Sequence, residues 1–330
     1  MRHTLAHGRR TIGPASPLAS LVIDGRQDGG DRRQPGGPEA KPATLYTPTC
    51  LAFDLRSGDV RDLLTRLRRR YRYSIILLRA MVASDFKLKY QASILGYLWS
   101  LLKPLALFTI LYFVFVKLLR IGVSIPHYAI YLLFGIVIWG LFAETTNSGV
   151  PSLVQKADLL RKISFPRYVV VVAVGVSALI SFGLNMIVIV LFVGLARLPL
   201  TLDVLWLPLL LLELIAFCVS FSFFLSALFV RYRDMSYIWD VVLQAGFYAT
   251  PIIYPLSLVH YAFARFLLFN PIAQIIQDAR YVLVTKQTET MTQAFGTPWA
   301  RVVPVTITIA LLTSSVLFFR QRSPSFAEEA

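Results

Sequence analysis

Three carboxylates stand inside otherwise apolar runs of this chain: Glu144, Glu213 and Asp240. A charge held in hydrocarbon is costly, so such a residue either pairs with a neighbouring helix or lines a polar path. Glu213 lies deepest in its run and fits both roles. Glu144 and Asp240 fall near the ends of theirs, where water reaches them. Other chemistries find little support. His3, His7, His127 and His260 make no metal-ligand pair, and Cys50 and Cys218 are too far apart to suggest a disulfide framework or a metal site. The pattern G-x-x-x-x-G-K-S/T is absent, so the chain carries no phosphate-binding loop. Asp278 and Glu289 are the only acids between 255 and 299, and they form no recognisable general acid–base pair. Neither a catalytic nor a metal constellation is expected, and the chain reads as a non-enzyme.

The elements that hold these residues are set by composition. Of the 330 residues, 56% are hydrophobic and only 15% are charged, against about 25% in a soluble domain. The chain is expected to be an all-α polytopic membrane protein. A net charge of +15 invites a nucleic-acid reading, but its placement argues against one. Lys and Arg cluster before the first apolar run, in two short loops and at the C-terminal end, which is the positive-inside distribution. Juxtamembrane Arg also attracts anionic lipid, at about 1 kcal/mol per residue.

Residues 1–55 are rich in Gly, Pro, Arg and Asp and are expected to form a disordered cytoplasmic tail. The first fifty residues lack a continuous apolar stretch, so no signal peptide is expected. Residues 56–94 form a basic segment leading into an amphipathic interface helix. Tyr71, Ile75, Leu78, Val82 and Phe86 recur at helical spacing, and Arg79 and Lys89 must snorkel. The favoured placement is in the membrane plane. The alternative is an overhang of the first span.

Residues 95–330 make a six-span domain. The spans are expected near Leu95–Val116, Pro126–Phe142, Tyr168–Ala196, Val204–Val230, Ser236–Tyr254 and Val302–Phe319. The loop holding Lys156, Arg161, Lys162 and Arg167, the loop Arg231–Asp234 and the end beginning at Arg320 are all basic. They fall on one side if both termini are cytoplasmic. Between the fifth and sixth spans, residues 255–299 are too mixed to cross and suggest short outer re-entrant or interfacial helices.

Ser152 followed by Gln155 reads as a capping box opening a short basic helix near 152–163, with Leu153, Ala157 and Leu160 on one face. Phe165-Pro166 stops that helix and starts the third span. A rigid cytoplasmic helix between two spans suits force transfer from a soluble motor; an ordinary connector has the same pattern.

These residues carry a family resemblance. Asp85 to Pro104 resembles R-D-apolar-K-x-(R/K)-Y-x-x-S-x-L-G-x-x-W-x-x-L-x-P, with Ser84 where Arg is common. Ser152 to Arg167 resembles S-L-V-x-N-x-x-L-apolar-x-K-x-x-F-P-R, with Lys156 in place of the common Asn. Arg231-Tyr232-Arg233-Asp234, Thr250-Pro251-Ile252-Ile253-Tyr254-Pro255, and Asn270-Pro271 with Arg280 nearby follow in order. Together they resemble the membrane subunit of an ABC-2-type polysaccharide exporter, a family that moves lipid-linked O-antigen, capsule, teichoic acid or galactan.

The resemblance implies a homodimeric permease in the cytoplasmic (inner or plasma) membrane, with two copies of a separate ABC ATPase subunit. Cofactors would then be none in this chain, with ATP and Mg on the partner. It implies a coupling role for Ser152, Leu153, Gln155, Asp158, Leu160, Arg161 and Lys162. It implies that Asp85, Lys87, Lys89, Tyr90, Ser93, Gly96 and Trp99 form the interface helix and its bend, where substrate enters, and that residues 255–299 hold gate helices. The cargo would be a polyprenyl-linked glycan, so Tyr112, Phe115, Phe247, Tyr248 and Tyr254, with Phe113 beside them, become candidate channel aromatics. Sugar C–H faces stack on such rings, although helix packing and interfacial belts use the same residues. A small-lipid or drug permease of the same family is the alternative, and a polyprenyl-sugar glycosyltransferase a more distant one. The Arg-, Pro- and Gly-rich tail is compatible with a high-GC actinobacterium, where the resemblance implies galactan as the expected cargo.

Overall fold

The computed structural model describes residues 59–90, 96, 98–120, 125–162, 165–199 and 201–323; the expected tail, 1–55, lies outside them. The described residues are helical, with no strand among them. Among the described residues, five helices are long and apolar enough to cross a membrane: Leu98–Leu118, Tyr128–Gly149, Tyr168–Leu195, Leu202–Arg231 and Pro298–Arg322.

The first helix, α1, runs Asp59–Tyr90. It begins well before the expected interface helix and takes in most of the Arg run, because Arg and Leu are good helix formers and no Gly or Pro interrupts them. Its packed stripe also differs from the expected arc. Met81 is buried and Leu77, Leu78 and Val82 pack beside it, whereas Ile75 is 48% exposed. The stripe Ser74, Leu78, Met81, Asp85 faces α6 (Tyr168–Leu195), and the pull of that neighbour sets the rotation. Gly96 then turns the chain at φ +35°, a backbone that disfavours any side chain, into α2, Leu98–Tyr112. The helix continues as a π-helix over Phe113–Leu118. No residue of α2 is buried.

The centre of the bundle is α3, Tyr128–Gly149, where Leu132, Phe134 and Ile138 are fully buried. It packs on α2, on α6 and on α7 (Leu207–Arg231, preceded by a 3-10 turn, Leu202–Trp206). It overruns the expected second span and carries Glu144 inside a helix. Two short helices follow, α4 (Ser152–Gln155) and α5 (Ala157–Lys162). After α7 comes α8, Met235–Ala249, 15 residues long. The apolar stretch expected as the fifth span continues to Tyr254, but the helix does not. Thr250 is extended, with ψ 139°, because a residue before proline is pushed out of the helical region. The segment 255–299 folds into α9 (Tyr261–Leu268), α10 (Pro271–Leu283) and α11 (Met291–Phe295). Finally α12, Val302–Arg322, packs along α7.

Candidate functional site

Two knots of interactions take up most of the sequence patterns noted above, though not Arg231–Asp234. The first forms around α1, α4 and α5. Lys156 donates to both oxygens of Asp85, at 2.8 and 2.9 Å, and both side chains are only about one-fifth exposed. One turn further along α1, Lys89 pairs with Glu144 of α3 and donates to Ser181 of α6 at 3.2 Å. Thus Asp85 and Lys89, at i and i+4, fasten one face of α1 to the α4–α5 junction and to the core helix. On α3, one turn past Glu144, Asn147 donates to Asp240 of α8 at 3.1 Å. Each carboxylate noted near the end of an apolar run, Glu144 and Asp240, therefore has a partner on another helix.

The segment expected as one coupling helix is broken. Lys156 leaves the helical backbone at φ −109°, ψ 18°, and separates α4 from α5. The capping-box reading is corrected as well. Pro151 is the N-cap, and Ser152 Oγ donates back to the Gly149 carbonyl at 2.7 Å, a bond to the preceding turn that competes with capping. Ser152 and Leu153 are buried. Leu153 sits among Val169, Val170, Phe223 and Phe319 and so anchors α4 in the bundle. Ala157 continues that buried face, while Gln155, Asp158 and Lys162 are exposed. The side chains of Leu160 and Arg161 lie outside the described residues. On the entry side, Lys87 is exposed, Trp99 is 53% exposed and Gly96 makes the turn. Ser93 and the Tyr90 side chain lie outside the described residues.

The second knot centres on Arg280, which is completely buried on α10. Its guanidinium donates to the carbonyls of Pro251 at 2.7 Å, Ile252 at 2.6 Å and Tyr131 at 3.0 Å. It lies 3.5 Å from the Tyr131 ring centroid, in cation–π contact. Burial pulls its proton affinity down, and Tyr131 opposes that shift. Tyr128 O–H donates to the next carbonyl of the turn, Ile253, at 2.6 Å. The turn that ends α8 thus has its carbonyls satisfied by α10 and α3. Asn270 caps α10 by accepting from the Ile272 N–H at 3.1 Å.

Gly135 lies directly under the Arg280 guanidinium, which leaves no room for a Cβ. Gly246 of α8 meets Trp139 in the same way, at 2.8 Å from an ideal Cβ. Neither glycine stands out in the sequence, because each lies in an apolar helix with no turn signal near it.

The candidate aromatics are spread out. Tyr112, Phe115, Phe247 and Tyr254 pack partly against the core. Phe247 meets Trp139 edge-on with centroids 6.1 Å apart, and the Tyr254 hydroxyl donates to the Ala249 carbonyl at 3.1 Å. Phe113 and Tyr248 are exposed, at 64% and 66%.

Glu213, the deepest carboxylate, belongs to neither knot. It faces Asp278 and Arg301 in a cavity between α7, α10 and α12. Burial raises the proton affinity of Asp278, against the opposing pull of Arg301.

The helices long and apolar enough to cross a membrane define a multi-pass membrane protein. The chain matches the ABC-2 type transporter family over residues 76–284, and it belongs to that family. It is 30% identical over 209 residues to an O-antigen export system permease protein RfbA of Klebsiella pneumoniae, covering 63% of this chain and 80% of that protein. It is also 27% identical over 265 residues to the O-antigen export system permease protein RfbA of Myxococcus xanthus, covering 79% of this chain and 98% of that protein.

Proposed function

We propose that this chain is the permease of an ABC exporter that carries lipid-linked polysaccharide across the cytoplasmic membrane. It would work as a homodimer, with ATP and Mg held by two copies of a separate ATPase subunit. The observation that carries this reading is the alignment with an O-antigen export permease along nearly that protein's whole length. The Asp85–Lys156 pair adds a physical route for force. Both termini are cytoplasmic in this reading, and α8 with the turn after it is the fifth of six spans. A 15-residue helix reaches about 22 Å at 1.5 Å per residue, so residues 250–254 complete that crossing.

ATP binding would close the ATPase dimer and push α5 through its exposed residues Asp158 and Lys162. Leu153 and the Lys156–Asp85 pair would pass the displacement to the bundle and to α1, and the two permease copies would shift between two packings. The polyprenyl-linked glycan would enter beside α1 and pass candidate aromatics toward α9 and α10.

Reconstitution of the permease with its ATPase and a lipid-linked glycan tests the assignment, with ATP-dependent export as the expected result. Transport without ATP, or normal glycan display after depletion of the chain, would overturn it. Asp158→Lys should lower export per ATP about tenfold, equivalent to about 1.4 kcal/mol of coupling, without lowering the melting temperature. Unchanged export would remove α5 from the coupling path.

A further inference from the structure

The cavity between α7, α10 and α12 has a volume of about 420 Å³. Its walls are apolar, from Leu209, Leu212, Ala216 and Ile309 among others, whereas its inner end is polar. There Gln274 donates to Asp278 at 2.6 Å and Arg301 pairs with Asp278 at 3.2 Å. Three oxygens at this end are buried without a hydrogen-bond partner, Glu213 Oε1, Gln274 Oε1 and Thr308 Oγ1, while the Asp278 carboxylate also has the Met291 backbone N–H beside it. Gln274 is 1% exposed and Thr308 2%, so leaving their oxygens bare is costly.

The chemistry of the missing partner follows from this donor–acceptor balance. Glu213, Asp278 and Gln274 Oε1 can only accept while the two carboxyl groups are ionised, so the partner must donate several hydrogen bonds. With both carboxyl groups ionised, two carboxylates against one guanidinium leave one negative charge in excess, which a cationic partner would balance. A primary ammonium supplies three N–H donors and one positive charge. Arg301, with five N–H donors, can hold an anionic group beside it.

The depth of the cavity fits the membrane–water boundary. Trp206 lines it and is 54% exposed, and tryptophan favours that boundary. Glu213 lies seven residues further along the helix, about 10 Å deeper at 1.5 Å per residue.

We propose that this cavity binds one phospholipid with a primary-ammonium headgroup. Its ammonium sits among Glu213, Gln274, Asp278 and Thr308, its phosphate rests against Arg301, and an acyl chain runs along α7 and α12. Lipid binding there needs neither ATP nor the ATPase.

Native mass spectrometry of the full chain, purified from membranes holding phosphatidylethanolamine and phosphatidylcholine in equal amounts, tests it. The expected result is one retained lipid per chain, with phosphatidylethanolamine favoured about tenfold, the effect of about 1.4 kcal/mol. Glu213→Gln should reduce that preference to less than about twofold, or about 0.4 kcal/mol. Ala216→Leu, which fills the wall without changing charge, should reduce retention of both lipids. Equal retention of the two lipids by the unaltered chain would overturn the proposal. So would a full preference surviving in both variants. Because the chain is measured alone, a negative result leaves the export reading standing.

Discussion

Arg280 shows how much a single side chain can settle. Three carbonyls converge on its guanidinium, and its planar fork reaches all of them at once, which an ammonium cannot do. Arg280→Lys is therefore expected to destabilise the protein by about 2–4 kcal/mol, the cost of stranding buried carbonyls, read as a lower melting temperature in detergent. Gly135→Ala should act through the same residue, because its methyl group would displace the guanidinium. A loss of about 1–3 kcal/mol is expected for such overpacking, and the double variant should lose less than the sum of the two. Additive losses would show that the two residues act separately.

At the scale of elements, the informative connection is between α1 and the α4–α5 junction. Asp85→Lys or Lys156→Asp alone should weaken export, since each sets like charges together. Exchanging the two charges should recover most of it. The pair is partly exposed, so its coupling energy in a double-mutant cycle is expected to be about 1 kcal/mol. A cycle energy near zero, with no recovery of export in the exchanged variant, would remove this pair from the force path. The element boundaries have local causes as well. Pro251 stops α8, and Gly96 makes the turn into α2 that a β-carbon would strain.

At the scale of the whole molecule, α3 is nearly surrounded whereas α2 has no buried residue. An apolar helix this uncovered must face lipid, a second copy of the chain, or both. In the homodimer proposed here, α2 is the natural contact. Ile110 is 61% exposed, so Ile110→Cys, in a chain whose Cys50 and Cys218 are replaced by Ser, should give a disulfide-linked dimer in oxidised membranes. Only monomer, at this position and at Phe113→Cys, would place the dimer contact elsewhere.

Composition by itself determined the class of protein: helices, several of them long and apolar enough to cross a membrane near the expected places. The reason is that hydrocarbon tolerates only helices or closed barrels with satisfied backbones, so apolar length translates directly into structure. The linear signatures at Asp85 and Lys156 and at Arg280 and Pro251 were also visible, each as an isolated pattern. Only the tertiary structure decided that the members of each pair touch, although they stand 71 and 29 positions apart. It also decided that α1 turns Met81 rather than Ile75 inward, that the coupling segment breaks at Lys156, and that Glu213, Gln274, Asp278 and Thr308 share one cavity. These are matters of which helix faces which. Helix rotation and pairing are set by side-chain packing and by hydrogen bonds across distant segments, and neither leaves a periodic trace along the chain.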